Sequence, residues 1–314
     1  MIPVEPFVHP QARAFIESLP DSGLMAGRDI QEVRREARTI VLAAAGTPEP
    51  MATVDDIDAG GVPARLYRPT GAETSVLVWL HGGAFMTGDL DSSDVVVRAF
   101  AKRAQSAVLS VDYRLAPENR FPAAIDDAWG ATVWATGNFK TVAVGGDSAG
   151  GNLAAAVALR ARDLRVELAM QILVYPVLTA DTSNSYYEGF AQRYANFCGR
   201  TGFGATSLAN IRNMWETYIP DPTRRFVQDA SPLRATSLAG LAPVVMILAE
   251  HDILREDGEE YIRRLEAVGV PVEVHRYEGQ LHGFIGFSGK LDAARDAVEK
   301  SSAALRIVFG PGAS

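Results

Sequence analysis

Residues 142–152 read VAVGGDSAGGN, and this stretch decides the fold that we expect for the chain. Its first residues form a valine-rich apolar run typical of a buried strand, and the alanine-rich stretch Ala149–Ala161 is typical of a helix. Between the two lies Gly146-x-Ser148-x-Gly150, whose glycines leave room for a sharp turn of the backbone. A strand, a turn and a helix in this order predict that the turn projects the Ser148 hydroxyl above the sheet as a nucleophile.

Two phosphate-binding loops share part of this pattern but differ from it at other positions. Gly145 and Gly150 have the spacing of a P-loop, but Gly151-Asn152 stands where a P-loop requires lysine followed by serine or threonine. A dinucleotide-binding GxGxxG motif requires a second glycine where this chain has Asp147. The segment therefore favours a nucleophilic serine over a phosphate site.

Short apolar runs alternate with amphipathic stretches along most of the chain. This alternation is typical of an α/β fold, in which a mostly parallel sheet is covered by helices on both faces. The predicted strands are Val76–Leu80, Ala107–Val111, Thr141–Val144, Met170–Tyr175, Val244–Ala249 and Val270–His275. The predicted helices are Ser93–Gln105, Ala123–Ala135, Ala149–Ala161, Glu256–Ala267 and Leu291–Ile307. Met51–Asp58 and Val62–Arg68 are predicted to open the sheet as an antiparallel hairpin.

Two segments interrupt the alternation and suggest how the chain is divided. Residues 1–48 have one or two helical patterns and no strand pattern. Residues 181–226 are rich in aromatic side chains, which argues against disorder because such residues need to be buried. An insertion of this length predicts a small satellite core, a lid over a pocket, or both. The α/β core is then expected in two parts, residues 49–180 and 227–314.

Composition and charge limit the partners of the chain. The 314 residues are 47% hydrophobic and 22% charged, as in an ordinary globular protein. A formal net charge of −8 disfavours nucleic acid, whose phosphates need a basic surface. The one cysteine, Cys198, cannot form an internal disulfide. The N-terminus lacks a signal-peptide pattern, and no apolar run is long enough to span a bilayer. We therefore expect a cytoplasmic protein with neither nucleic acid nor a membrane as partner.

A serine hydroxyl becomes a good nucleophile only when a base removes its proton, and the chain has five histidines. His282 lies in a loop just after the last predicted strand, which fits the chain order serine, acid, histidine for this kind of turn. His9 lies in the N-terminal region, His275 lies inside a predicted strand, and His81 precedes the serine. The sequence therefore predicts His282 as the base.

The acid that orients such a histidine is expected after the preceding strand. Val244–Ala249 is followed by EHDILRED at residues 250–257, in which Asp252 holds the loop position between strand and helix. Glu250 lies too close to the strand, and Asp257 falls within the predicted helix. Capping of that helix is the alternative role for Asp252. A metal site in this segment is disfavoured because no HExxH or paired-histidine spacing occurs.

The segment WLHGGAF at residues 79–85 follows another predicted strand. The tetrahedral oxyanion of ester hydrolysis needs backbone N–H donors, and a Gly-Gly loop brings bare amides close to a substrate. The residue after the nucleophile supplies a further amide. Gly82, Gly83 and Ala149 are therefore the predicted donors of an oxyanion hole. A tight turn alone would explain the two glycines but not their occurrence together with the serine motif.

In combination, these motifs resemble the hormone-sensitive-lipase family of α/β-hydrolases, in its bacterial GDSAG form. They are HGGAF at 81–85, DYRLAPENRFPAA at 112–124, GDSAGGN at 146–152, the Asp252 segment and LHGF at 281–284. The resemblance covers nearly the whole chain and implies an α/β-hydrolase fold in which residues 1–48 and 181–226 form a helical cap. It implies a carboxylesterase that acts on short- to medium-chain esters without a cofactor. Ala84 stands where many members of the family carry a third glycine.

The expected chemistry is acyl transfer from a small-molecule ester through Ser148, Asp252 and His282. Aromatic side chains are expected to limit the acyl chain, and Phe85, Phe203 and Trp215 are the residues predicted to line the pocket. An amidase or arylformamidase, an inactive binding protein and an interfacial lipase are the alternatives. The presence of His282 argues against an inactive protein, and the acidic chain without a signal peptide argues against a lipase. A homodimer is compatible with the sequence.

Overall fold

A computed structural model of the chain describes residues 7–19, 27–71, 73–183, 185–193 and 207–310. The strands are β1 (Thr53–Asp58), β2 (Pro63–Arg68), β3 (Ser75–Leu80), β4 (Ala107–Val111), β5 (Thr141–Asp147), β6 (Gln171–Val174), β7 (Val244–His251) and β8 (Val272–Leu281). They form an 8-stranded sheet in the order β1-β2-β4-β3-β5-β6-β7-β8. The β1–β2 and β2–β4 pairs are antiparallel, and every later pair is parallel. The α/β prediction, including its opening hairpin, is confirmed.

Helices precede the sheet and connect most of its strands. They are α1 (Pro10–Ser18), α2 (Ile30–Ala44), α3 (Leu90–Ala104), α4 (Ala123–Asn138), α5 (Ala149–Leu164), α6 (Ser185–Arg193), α7 (Leu208–Tyr218), α8 (Arg255–Ala267) and α9 (Asp292–Phe309). Short 3₁₀ turns lie at Pro222–Phe226, Pro232–Arg234 and Phe284–Gly286. Local capping explains where some helices begin. The Asp29 carboxylate accepts the N–H groups of Gln31 and Glu32 at the start of α2.

The central strands are buried on both faces, which explains their continuous apolar sequences. Along β3, Val76 and Val78 belong to the core on one side of the sheet, whereas Leu77 and Trp79 belong to the core on the other. The alternation follows from the two-residue period of a strand. Because both faces need cover, the helices between successive strands must lie on both sides of the sheet.

Helix α2 is attached to loops at the carboxyl edge of the sheet by arginine side chains. Arg34 donates to the main-chain oxygens of Met86 at 2.8 Å and Ala116 at 3.0 Å. It also makes paired hydrogen bonds of 2.8 and 2.7 Å with the Glu118 carboxylate. Arg38 pairs with Asp89 and Asp91 at the start of α3. These contacts connect α2 to the loop after β3 and to the loop after β4. The division of the chain into a core and a cap stays a prediction.

The aromatic residues described in segment 181–226 are mostly buried. Tyr187, Phe190, Trp215 and Tyr218 are each at most 5% exposed. Trp215 and Tyr218 extend the main hydrophobic core rather than facing solvent. This burial agrees with the argument against disorder, but the buried aromatic residues join the main core and do not form the predicted separate satellite core. The predicted role as a lid stays a prediction.

The turn between β5 and α5 gives a direct test of this architecture. A Cβ atom on Gly150 would lie 1.8 Å from the carbonyl oxygen of Leu80, which belongs to the backbone of β3 and cannot move aside. We therefore expect Gly150→Ala to lower the free energy of unfolding by about 3 kcal/mol, as overpacked core positions do. The matched control is Gly137→Ala in α4, where a Cβ meets nothing within 4 Å and should stabilise the helix by up to about 1 kcal/mol. Urea unfolding of both variants measures the difference, and equal stabilities would contradict it.

Candidate active site

Ser148 lies at the turn between β5 and α5 in a conformation that few residues adopt. Its backbone has φ 55° and ψ −116°, a strained geometry for a residue with a side chain. Hydrogen bonds hold the turn on both sides: Ser148 N–H donates to Val174 O at 2.9 Å, and Ser148 O accepts the N–H groups of Asn152 and Val177. The strain is therefore maintained by the surrounding backbone. This geometry is that of a nucleophile elbow.

Ser148, His282 and Asp252 form a continuous hydrogen-bonded line. The distance from Ser148 Oγ to His282 Nε2 is 2.9 Å, and the distance from His282 Nδ1 to Asp252 Oδ2 is 2.7 Å. The other carboxylate oxygen of Asp252 accepts the Leu254 N–H at 2.8 Å. Because an ionised carboxylate can only accept, the proton of a neutral His282 lies on Nδ1, which leaves Nε2 free to accept from the serine. The structure thus brings together the three residues predicted from the sequence.

The pairing of β7 with β8 explains why the acid and the histidine meet. Ala249 lies opposite Tyr277, but two residues later His251 lies opposite Leu281, so β8 contains an irregularity between these pairs. Between these two pairs β8 advances four residues while β7 advances two, and the strands then end at paired positions. Asp252 and His282, each the next residue along its strand, therefore emerge side by side.

Aromatic side chains hold these two residues in place. The hydroxyl of Tyr186 in α6 donates to the main-chain oxygen of Asp252 at 2.9 Å. The Tyr175 ring lies 4.6 Å from the His282 ring, and the Tyr175 hydroxyl accepts the Ile285 N–H at 3.3 Å. Asp252 is fully buried and His282 is 8% exposed, so water has little access to their hydrogen bond. In such surroundings the electrostatic interaction of acid and base is stronger than in water.

The loop after β3 requires a correction to the predicted oxyanion donors. The N–H of Gly82 donates to Asp147 Oδ1 at 2.9 Å, so this amide is already bonded within the protein and does not face a substrate. Among the described residues, the N–H groups of Gly83, Ala84 and Ala149 have no acceptor. Ala84 is therefore a candidate donor that the sequence analysis missed. Its signal was the resemblance stated above, in which many members of the family carry a third glycine at this position.

His81 supports this loop instead of acting on a substrate. Its Nδ1 donates to Gly82 O at 2.7 Å, and its ring stacks on Tyr113 at 4.3 Å. The Tyr113 hydroxyl donates to His81 O at 2.7 Å. Burial lowers the pKa of His81, so the ring stays neutral and its Nδ1 carries the proton that this hydrogen bond needs.

A cavity of about 290 Å³ opens beside Ser148 and His282. One wall is formed by α2 and the turn before α9, and another by α7. The apolar residues that form these walls include Val33, Ala37, Ile40, Ile211, Met214 and Phe287. Such a cavity suits an apolar group attached to the carbonyl that Ser148 would attack.

Two of the three aromatic residues predicted to line the pocket, Phe85 and Trp215, lie elsewhere. Phe85 is fully buried and stacks on Tyr218 with 4.0 Å between ring centroids, and Trp215 packs against the same two rings. Neither Phe85 nor Trp215 lines the cavity, because their rings complete the core beneath α7. Phe203 lies outside the described residues. Where the described residues of α2 and α7 line the cavity, their apolar side chains are not aromatic.

Two further findings concern metals and membranes. Among the described residues, no three histidine, cysteine or acidic side chains form a group that could hold a metal ion. In the same part of the chain, no helix combines the length and the apolar character needed to cross a membrane.

An eight-stranded, mostly parallel sheet with a serine turn at its carboxyl edge is the fold of an α/β-hydrolase. The chain matches the family model described as alpha/beta hydrolase fold over residues 77–286. It therefore belongs to this family, in its hormone-sensitive-lipase branch.

Several relatives that this chain resembles are esterases. It is 37% identical over 292 residues to Esterase LipI of Mycobacterium tuberculosis, which covers 89% of this chain and 85% of the relative. It is 40% identical over 289 residues to Carboxylic ester hydrolase LipN of the same organism, covering 84% and 72%. The structure of an esterase from Pyrobaculum calidifontis superposes with a TM-score of 0.85 at 32% identity, covering 96% of this chain and 98% of that one. The protein is a carboxylic ester hydrolase.

The wall formed by α2 allows a test of the cavity. Ala37 lines it, so Ala37→Trp would fill space that the acyl chain of a longer ester needs. We expect kcat/KM for p-nitrophenyl octanoate to fall at least about tenfold relative to the acetate, a discrimination that a few lost methylene contacts supply. Ala43→Trp, at an exposed position of the same helix, is the control. An unchanged octanoate-to-acetate ratio for Ala37→Trp would show that the acyl chain does not pass this wall.

A buried carboxyl group beside the acid-bearing loop predicts how stability varies with pH. Burial raises the pKa of Asp257 to about 7. The hydrogen bond that Tyr187 donates to it at 2.5 Å acts in the opposite direction, and the charge of Asp252 adds to the rise. The folded protein thus holds this proton more tightly than the unfolded chain, so the stabilisation is complete below about pH 4 and is lost as the pH rises towards 7.

Asp257→Asn removes this titration while keeping an acceptor for Tyr187. We expect its free energy of unfolding to gain about 2 kcal/mol relative to wild type between pH 5 and pH 8. Urea unfolding at both pH values measures the gain, with the exposed Asp55→Asn as the control. The same difference from wild type at both pH values would contradict the assignment.

Proposed function

We propose that the protein is a serine carboxylesterase that hydrolyses short- to medium-chain acyl or aryl esters through Ser148, Asp252 and His282. The observation that carries this proposal is the hydrogen-bonded line of 2.7 and 2.9 Å that joins Asp252 to His282 and His282 to Ser148. Nucleophilic catalysis requires a serine hydroxyl that donates to an unprotonated nitrogen, and Ser148 and His282 are arranged for such a hydrogen bond. The esterase names of the relatives support the same reaction class.

In the first step, His282 Nε2 accepts the hydroxyl proton while Ser148 Oγ forms a bond to the ester carbonyl carbon. The π electrons of the carbonyl move to its oxygen and give a tetrahedral oxyanion. The imidazole becomes positively charged, and Asp252 stabilises it through the 2.7 Å hydrogen bond to Nδ1. Full burial of Asp252 strengthens this stabilisation.

The oxyanion needs donors that are in place before charge develops. We assign this role to the N–H groups of Gly83, Ala84 and Ala149, which have no other acceptor among the described residues. Ala149 is the first residue of α5, so its N–H also lies at the positive end of the helix dipole. Gly82 is excluded from this set because it donates to Asp147.

The intermediate then breaks its bond to the leaving alcohol. The proton held by His282 Nε2 passes to the alcohol oxygen, and the acyl group remains on Ser148 Oγ as an ester. A water molecule, deprotonated by the same nitrogen, attacks this acyl-enzyme, and a second tetrahedral intermediate releases the carboxylic acid. The enzyme returns to its starting protonation state, and no other reactant is consumed.

The size of the cavity supports the substrate class. Its volume of about 290 Å³ is close to the lower end, about 300 Å³, of the usual range for small-molecule sites. Its walls carry aliphatic side chains, which favour an apolar acyl or aryl group. These features favour small esters over long acyl chains.

The direct test is hydrolysis of p-nitrophenyl acetate, butyrate, octanoate and laurate by wild type and variants. We expect Ser148→Ala to lose at least about 10⁴-fold in kcat, and Asp252→Asn to lose about 10⁴-fold because the histidine loses its orienting charge. Rates should be higher on acetate and butyrate than on laurate.

The control is Ser183→Ala, at an exposed serine outside the cavity, which should keep the wild-type rate. Wild type that is inactive on every ester, or Ser148→Ala that is as active as wild type, would overturn the proposal. Matching anilides and a formyl arylamide would then show whether the same residues serve an amidase.

A further inference from the structure

The peptide groups of the loop after β3 are held by three side chains. The peptide that joins His81 to Gly82 accepts a hydrogen bond from the Tyr113 hydroxyl on His81 O, at 2.7 Å. On its opposite side it donates from Gly82 N–H to Asp147 Oδ1, at 2.9 Å. A trans peptide has its oxygen and its N–H on opposite sides, so these two contacts together fix the rotation of this group.

The next peptide group carries one of the proposed oxyanion donors. It joins Gly82 to Gly83, and His81 Nδ1 donates to its oxygen at 2.7 Å. By the same trans geometry, the Gly83 N–H points away from the His81 ring. The direction of this donor therefore depends on the peptide before it, which Tyr113 and Asp147 hold.

Asp147 and Gly82 are brought together by the sheet. β3 and β5 are neighbouring parallel strands, with Leu80 opposite Gly146, so the residues that follow lie at the same edge. The approach is close enough that a Cβ atom on Gly82 would lie 2.3 Å from Asp147 Oδ2. The absence of a side chain at position 82 is thus what allows this carboxylate to reach the backbone.

We propose that Asp147 is a positioning residue for the oxyanion hole, whose carboxylate fixes the loop that carries the Gly83 and Ala84 donors. The inference rests on the proposed serine esterase function and adds a residue to it. Asp147 directly precedes the nucleophile and lines the cavity, yet the mechanism above uses it in no step. Its role is to hold a peptide group, and it exchanges no proton with the substrate.

A competing role for Asp147 would depend on its charge. Burial raises the pKa of Asp147 to about 6, and the nearby His282 acts in the opposite direction. A carboxyl group at this position could therefore act on His282 or on a proton of the substrate. The two roles can be distinguished by an uncharged side chain at position 147. A neutral hydrogen-bond acceptor can still fix the loop, but it cannot replace a group that gains and loses a proton.

The experiment compares Asp147→Asn with Asp147→Ala on p-nitrophenyl butyrate. The asparagine oxygen can still accept from Gly82, so Asp147→Asn should keep kcat within about fivefold of wild type. Asp147→Ala should lose about 100-fold in kcat, the size of effect expected for displaced oxyanion donors, while KM changes less than about threefold. Affinity for an aryl trifluoromethyl ketone, which forms an oxyanion on Ser148, should fall in parallel with kcat.

A second variant covers the case in which Asp147→Ala does not fold. Gly82→Ala keeps Asp147 but places a Cβ where its carboxylate lies, so the hydrogen bond to the backbone is lost. It should reproduce the loss in kcat. Tyr113→Phe releases the other side of the same peptide, and its effect should be less than multiplicative with that of Gly82→Ala, because both variants free one group.

The outcomes separate this inference from the function on which it rests. An active wild type in which Asp147→Asn is as impaired as Asp147→Ala would overturn the positioning role in favour of a role for the charge. An active wild type with unimpaired Asp147→Ala and Gly82→Ala would overturn it altogether. A wild type without Ser148-dependent hydrolysis would overturn the proposed function itself, and the positioning role would fall with it.

Discussion

The close approach of the serine turn to the end of β3 is the constraint on which the candidate site depends. A side chain would meet the Leu80 carbonyl oxygen at 1.8 Å from Gly150 and at 2.4 Å from Gly146. Two residues without side chains let α5 begin directly against β3, and Ser148 is held between them in a strained conformation. The proposed nucleophile and the loop with the proposed oxyanion donors therefore share one backbone-to-backbone contact.

Much of this arrangement follows from residue type and chain order, and both can be read from the sequence. Apolar periodicity predicted the sheet, and the order serine, acid, histidine selected Asp252 and His282 from several candidates. The irregularity in β8 between Tyr277 and Leu281, which brings these residues level, could not be predicted. Strand register depends on which residues are left unpaired between the two strands, and the sequence of one strand does not show where its neighbour has such residues.

The directions of the amides in the loop after β3 and the side chains that line the pocket could not be predicted from the sequence. HGG predicted bare amides near the nucleophile, but the direction of each amide depends on partners that come from distant parts of the chain, such as Asp147 for Gly82. Phe85 is one of the aromatic residues predicted to line the pocket. Its ring instead stacks on Tyr218, which lies 133 residues later by sequence number, and only the packing of α7 decides this.

The same loop connects the two halves of the site. Arg34 of α2 holds the Met86 oxygen, and the Met86 N–H in turn donates to Gly83 O at 3.0 Å. α2 also supplies Val33 and Ala37 to the cavity wall. A displacement of this helix would therefore alter the shape of the pocket and the support of the oxyanion donors together. If the proposed function holds, substrate size and transition-state stabilisation are coupled through Arg34, because its hydrogen bonds connect the wall to the loop.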